Sequence, residues 1–132
     1  MMSKVQVYFS DSRAKSDEDT FRTWIRKLFE ATRIDETISK GDLVAMKTHF
    51  GTTGNDRHVK PEHLREIVEK VREVGGQPFV TDTTGIGLLG ERGTAASLLT
   101  SSARRRFTEE TLGAPVIVAD APKGLSGDQN RS

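Results

Sequence analysis

Four short stretches of the chain carry the hydrophobic pattern of strands, and three longer stretches between them carry that of helices. Residues 4–9, KVQVYF, alternate polar and apolar side chains, the period of a half-buried strand. LVAMKTHF, residues 43–50, reads as a buried strand interrupted by Lys47 and His49. QPFVTD, residues 77–82, is a third, with Pro78 tolerated at its start. APVIVAD, residues 114–120, is the most apolar and suits burial on both faces of a parallel sheet.

The first helix is expected to begin near Ser16, whose hydroxyl can cap it, with Asp17, Glu18 and Asp19 at the positive end of its dipole. Phe21, Trp24, Ile25, Leu28 and Phe29 then form one broad apolar face and are expected in the core. Pro61 and Glu62 open a second helix with an inner stripe of Leu64, Ile67, Val68 and Val71. Its charged residues and His63 should face water, and Gly75-Gly76 should end it. A third helix is expected over 94–106, with a thin apolar face of Ala95, Leu98 and Leu99. The order β-α-β-α-β-α-β predicts an α/β fold of Rossmann-like, three-layer type. Its mainly parallel sheet should have about four strands joined by right-handed crossovers.

At 132 residues the chain is the size of one domain, expected over 1–121. The tail 122–132 is expected to be loose and to lead into a further region. A net charge of +1 supplies no general field for nucleic acid, which is not an expected partner. No stretch has the eighteen apolar residues of a membrane span, and MMSKVQVYF lacks the form of a signal peptide. There is no cysteine, which excludes disulfides, thiol catalysis and Cys-ligated zinc or iron–sulfur clusters within the chain. A cytoplasmic setting fits that composition.

In a parallel sheet, ligands gather beyond the carboxyl ends of the strands. The four predicted strands deliver charge there: Asp11 and Arg13 from the first, and Lys47 and His49 from the second, followed by Asn55, Arg57 and His58. The third delivers Asp82, Thr83 and Thr84, with Arg92 further on, and the fourth ends at Asp120. Lys47 and His49 are two apart and share a strand face. Lysine with Arg57 or Arg92 suits a phosphate or carboxylate, so Asp11, Arg13, Lys47, Asn55, Arg57, Asp82, Thr83 and Arg92 are the candidate anion-binding set. His49, His58 and Asp82 are candidate ligands for a divalent metal. His49 is the candidate catalytic acid or base. The plain alternatives stay open: Lys47 pairing with an acidic neighbour, and His49 as a hydrogen-bonded histidine at a sheet edge.

Gly85, Gly87 and Gly90 match G-x-G-x-x-G, but after the third strand rather than the first, and with no acidic residue about twenty positions on. A loop closing over a site and a plain structural loop both fit better than a dinucleotide fingerprint. The nucleophile motif G-x-S-x-G is missing. Arg104-Arg105-Arg106 is followed at once by Glu109 and Glu110 and reads as a solvated helix end.

VYFSD, VAMKTHFG, FVTDTTG and APVIVAD, in this order and spacing, resemble the N-terminal part of the uncharacterised iron–sulfur centre proteins, the domain-of-unknown-function 362 family. The most specific pieces are Lys47-Thr48-His49-Phe50-Gly51, Asp82 with its threonines, and Ala119-Asp120 followed by Lys123-Gly124-Leu125. The resemblance implies an α/β domain that works with a second α/β portion and, in many members, a ferredoxin-like insert holding two [4Fe–4S] clusters. Such clusters need CxxCxxCxxxCP runs, so they would lie outside this cysteine-free chain. A more distant likeness to the N-terminal domain of nickel-dependent lactate racemases makes a cofactor or small carboxylate a reasonable ligand. The expected role is thus a ligand- or cofactor-binding module, with two alternatives open: a small enzyme acting on a phosphorylated or carboxylated compound, and a structural or assembly domain.

Overall fold

The computed structural model describes residues 4–11, 13, 16, 20–85 and 90–120. Its elements are α1 (Phe21–Thr32), a 3-10 turn (Ile34–Thr37), β1 (Leu43–Lys47), α2 (Pro61–Glu73), β2 (Gln77–Asp82), α3 (Ala95–Arg104), α4 (Glu109–Leu112) and β3 (Val116–Val118). The three strands form one parallel sheet in the order β1-β2-β3. Val44 stands beside Pro78, Lys47 beside Thr81, and Val80 beside Val116. The protein is therefore a mixed α/β chain with an open parallel sheet.

Each helix forms where local chemistry closes its ends. Thr20, not Ser16, caps α1 by accepting from the Thr23 N–H, so the helix starts about one turn later than the acidic run suggested. Asp17, Glu18 and Asp19 lie outside the described residues. Pro61 opens α2, because it has no N–H to leave unsatisfied and its φ is already helical. Thr94 and Ser97 form a reciprocal capping box on α3. The short α4, capped by Thr108 and ended by Gly113 in the left-handed region, was not foreseen.

Phe50, Leu64, Val68, Val80, Leu98, Phe107, Leu112 and Ala114 form the core, with Met46, Val116 and Val118 packed against it. Each large side chain buried there contributes roughly 1.5–3 kcal/mol relative to exposure. Val80, Val116 and Val118 share the sheet face that meets the helices. The opposite face carries Leu43 and Ile117, both exposed. Successive crossovers step one way across the sheet, and right-handed crossovers then place every connecting helix on the same side. On that reasoning the described helices cover one face of the sheet, and a third layer is not seen among the described residues.

Two expectations are not met among the described residues of the N-terminal half. Residues 4–9 form no strand, and Val5, Val7 and Phe9 stand 85%, 83% and 88% exposed. The face of α1 is correspondingly incomplete: Phe29 is buried, but Trp24 is half-buried and Phe21 exposed. On α2, Glu66 is buried rather than facing water, held between Arg22 at 3.0 Å and Arg26 at 3.5 Å. His63 is half-buried and stacks on the Phe21 ring, with centroids 4.6 Å apart. Among the described residues no helix is long and apolar enough to cross a membrane.

Candidate functional site at the carboxyl edge of the sheet

β2 ends in Asp82, whose side chain is 1% exposed. Its Oδ1 accepts from the Thr83 N–H at 2.8 Å and faces Lys47 Nζ at 3.0 Å. Its Oδ2 accepts from the Phe50 N–H and from Arg92 Nη2, both at 2.9 Å. One carboxylate thus fastens the end of β1, the segment that follows it and the arginine of the 90–94 turn. Burial alone would raise the Asp82 pKa, and it is the largest influence. The donors from Phe50, Thr83, Lys47 and Arg92 together outweigh it and hold the pKa below the usual carboxylate value.

Arg92 is 15% exposed on its side chain and also donates to the Thr83 carbonyl at 2.9 Å. Lys47 is freer: its side chain is 58% exposed and its ammonium has two further protons to offer. His49 stands next to it. Its Nδ1 accepts the Gly51 N–H at 2.9 Å, which places the proton of the neutral ring on Nε2. Burial lowers the His49 pKa, helped by the positive charge of Arg92, while Asp82 opposes and Lys47 and His58 add to the lowering. This favours the neutral ring, whose Nε2–H is then available as a donor. In register with Lys47, the Thr81 hydroxyl is buried without a hydrogen-bond partner.

The 51–58 loop folds back onto the core. Gly51 adopts φ +76°, and a Cβ there would lie 2.8 Å from His58 Nδ1, so glycine is required twice over. The His58 ring packs on Phe107 at 5.6 Å, and its Nδ1 lies 3.0 Å from the Asn55 carbonyl. Glu91 accepts from both the N–H and the hydroxyl of Thr53. These bonds, the N–H first, hold the Glu91 pKa below its ordinary value. Arg105 donates to the Phe50 carbonyl at 2.8 Å, to Glu91 at 3.1 Å and to Ser101 at 3.2 Å. Between this loop and the end of α3 lies a polar cleft of about 580 Å³ lined by Asn55, Lys60, Arg104 and Arg105 among others.

The structure brings together Lys47, His49, Asp82, Thr83 and Arg92, as the strand-end reading expected. Thr84 joins them to Asp120, which accepts from its N–H and hydroxyl and ties the end of β2 to that of β3. The Asn55 side chain accepts from the Arg57 backbone N–H in a local turn, and the Arg57 side chain is exposed. Asp11 and Arg13 pair with one another at 2.8 Å, and no described strand carries them to the edge. Glu91, Thr53 and Arg105 were missed. Arg105 is not a solvated helix end: its side chain is largely buried, while Arg104 and Arg106 on either side are exposed.

Among the described residues, no three His, Asp or Glu side chains are placed to share a metal ion, His49, His58 and Asp82 included. With no cysteine, the chain does not fit a [4Fe–4S] cluster either. Of the glycine motif, Gly87 lies outside the described residues; Gly85 donates to the Arg92 carbonyl and Gly90 adopts φ +82°.

No curated protein and no solved structure matches the chain. A family model does, over residues 44–127, the span that runs from β1 through the Asp82 hub and beyond β3. That span is more than half of the sequence, and the chain therefore belongs to the DUF362 family, described as a domain of unknown function.

Proposed function

We propose that this chain is a binding module for a small oxyanion, a carboxylate or phosphate, gripped at the carboxyl edge of the sheet by Lys47 and His49. The observation that carries this reading is the outward supply of donors beside a carboxylate that is already saturated. Asp82 has four donors of its own, so it positions Lys47 and Arg92 rather than touching the ligand. The exposed Lys47 ammonium and the His49 Nε2–H then remain for an incoming anion, with the unpartnered Thr81 hydroxyl nearby. In the enzyme alternative, the neutral His49 ring would offer its Nε2–H as a hydrogen-bond donor to a substrate oxygen rather than act there as a base, since that tautomer leaves no lone pair on Nε2.

The iron–sulfur link implied by the family resemblance belongs to the same proposal. The module would serve redox or cofactor chemistry completed by a partner region or ferredoxin-like domain that carries the clusters. A fourth strand extending the parallel sheet, and a cytoplasmic setting, are its further parts. The visible absorption of an intact protein containing this chain tests the cluster link, and a colourless, iron-free protein would refute it.

Binding itself is tested by following backbone amides 47–51 and 82–85 by NMR while inorganic phosphate or acetate is added. Saturable shifts confined to those segments are expected. Lys47→Met should weaken affinity by roughly tenfold or more, since a hydrogen bond to a charged group is worth about 1.5–3 kcal/mol. Absence of shifts with both anions would overturn the reading.

A further inference from the structure

β1 is an edge strand, paired on one side with β2 and on the other with nothing described. An open edge presents a row of backbone donors and acceptors in want of a partner. Beside that edge α1 overhangs an apolar groove of about 370 Å³, lined by Ile25, Leu28 and Phe29 of the helix, Val44 and Met46 of β1, and Ile67 of α2. The groove contains the incomplete face of α1, and its position is that of one further strand.

The same chain carries a strand-like segment with no place in the sheet. In residues 4–9 the apolar side chains Val5, Val7 and Phe9 alternate, and all three are among the most exposed apolar groups of the described residues. A strand holding them on the face of Val44 and Met46 would put them under α1, into the groove. Connectivity agrees. A parallel crossover needs a dozen or more residues, usually with a helix. The chain between Phe9 and Leu43 includes α1. Adding the segment outside β1 continues the one-way order of the sheet and keeps α1 on the same face as α2, as a right-handed crossover requires.

We propose that residues 4–9 dock in cis as a parallel strand on the free edge of β1, and that this docking completes the anion site. Parallel alignment sends the carboxyl end of the segment to the edge where Lys47 and His49 stand. Ser10, Asp11 and Arg13 are thereby carried beside them, adding a guanidinium to the donors already there. The second half of the statement rests on the anion reading above; the docking does not.

The experiment is NMR of the isotopically labelled 132-residue chain without added anion. Expected are cross-strand contacts between the amide and Hα protons of residues 5–9 and those of 44–48. Alternate amides of 5–9 should show exchange slowed by about a hundredfold or more, and Val7→Asp should abolish that protection while amides of α2 and β2 keep theirs. Random-coil shifts over 4–9 would overturn the docking. So would contacts seen only between labelled and unlabelled chains in a mixed sample, since the occupant would then be a second copy. Phosphate added afterwards separates the two halves. Docking with a silent titration refutes the anion reading alone, whereas docking and phosphate binding with no response at the Arg13 side chain refutes the completion of the site.

Discussion

Replacing Asp82 by asparagine is the perturbation whose cost follows most directly from the geometry. The side chain is 1% exposed and accepts from two backbone N–H groups and two cations. Asparagine keeps one acceptor oxygen and turns the other position into a donor, which then faces either Lys47 and Thr83 or Phe50 and Arg92. The Lys47 pair counts for little, because that ammonium is 58% exposed and water takes the place of its partner. Arg92 is the costly one. At 15% exposure its guanidinium loses its counter-charge in a largely desolvated position. Breaking such a pair costs about 3–5 kcal/mol when fully buried, and allowing for the remaining exposure gives about 3 kcal/mol. That is a large share of the 5–15 kcal/mol typical of a domain. The assay is urea denaturation followed by circular dichroism. With a slope of roughly 2 kcal/mol per molar urea, the midpoint should fall by about 1.5 M. Adding Arg92→Met should restore part of the loss, because the orphaned charge is removed with its partner. A midpoint shift below about 0.3 M, or no recovery in the double variant, would refute the account of Asp82 as the hub.

Acid should weaken the fold through the same group. The folded Asp82 pKa lies below the unfolded value of about 3.9, so its stabilisation is present above that pH and is lost as pH falls through the folded value. Asp82→Asn should therefore lose less stability than the parent between pH 6 and pH 3 in matched urea titrations, and an equal loss would contradict this. Gly51→Ala should destabilise by about 2–4 kcal/mol, from the left-handed backbone together with the His58 clash. Gly41→Ala, with φ +92° and nothing within 4 Å of the added Cβ, should cost only about 1–2 kcal/mol; equal shifts in thermal midpoint would remove the clash from the explanation. Glu91→Gln should speed amide exchange at Thr53 while leaving β2 unchanged, and unchanged exchange at Thr53 would show that Glu91 does not fasten the loop.

What could be read from the sequence was governed by local chemistry. β1, β2 and α2 follow from hydrophobic period, from Pro61 and from Gly75, and the structure places them within a few residues of expectation. The start of α1 was misplaced because Ser16 and Thr20 are both competent caps, and the local sequence does not choose between them. Lys47, His49, Asp82 and Arg92 were legible because residues beyond strand ends share an edge whenever strands are parallel. Glu91 and Arg105 were not. Their contacts to Thr53 and Phe50 span 38 and 55 residues, and no local period encodes them. Glu66 was missed for a similar reason: its place on α2 looks solvated until α1 brings Arg22 and Arg26 across it.

The most direct test of the central claim is the His49 ring itself, observed through its nitrogen resonances as phosphate is added at pH 7 to the 132-residue chain. A neutral ring protonated on Nε2, with the Nε2 signal moving saturably while Nδ1 stays near its starting position, is the predicted result. A ring protonated on Nδ1, or an Nε2 signal indifferent to phosphate and acetate alike, would contradict the assignment of this edge as an anion site.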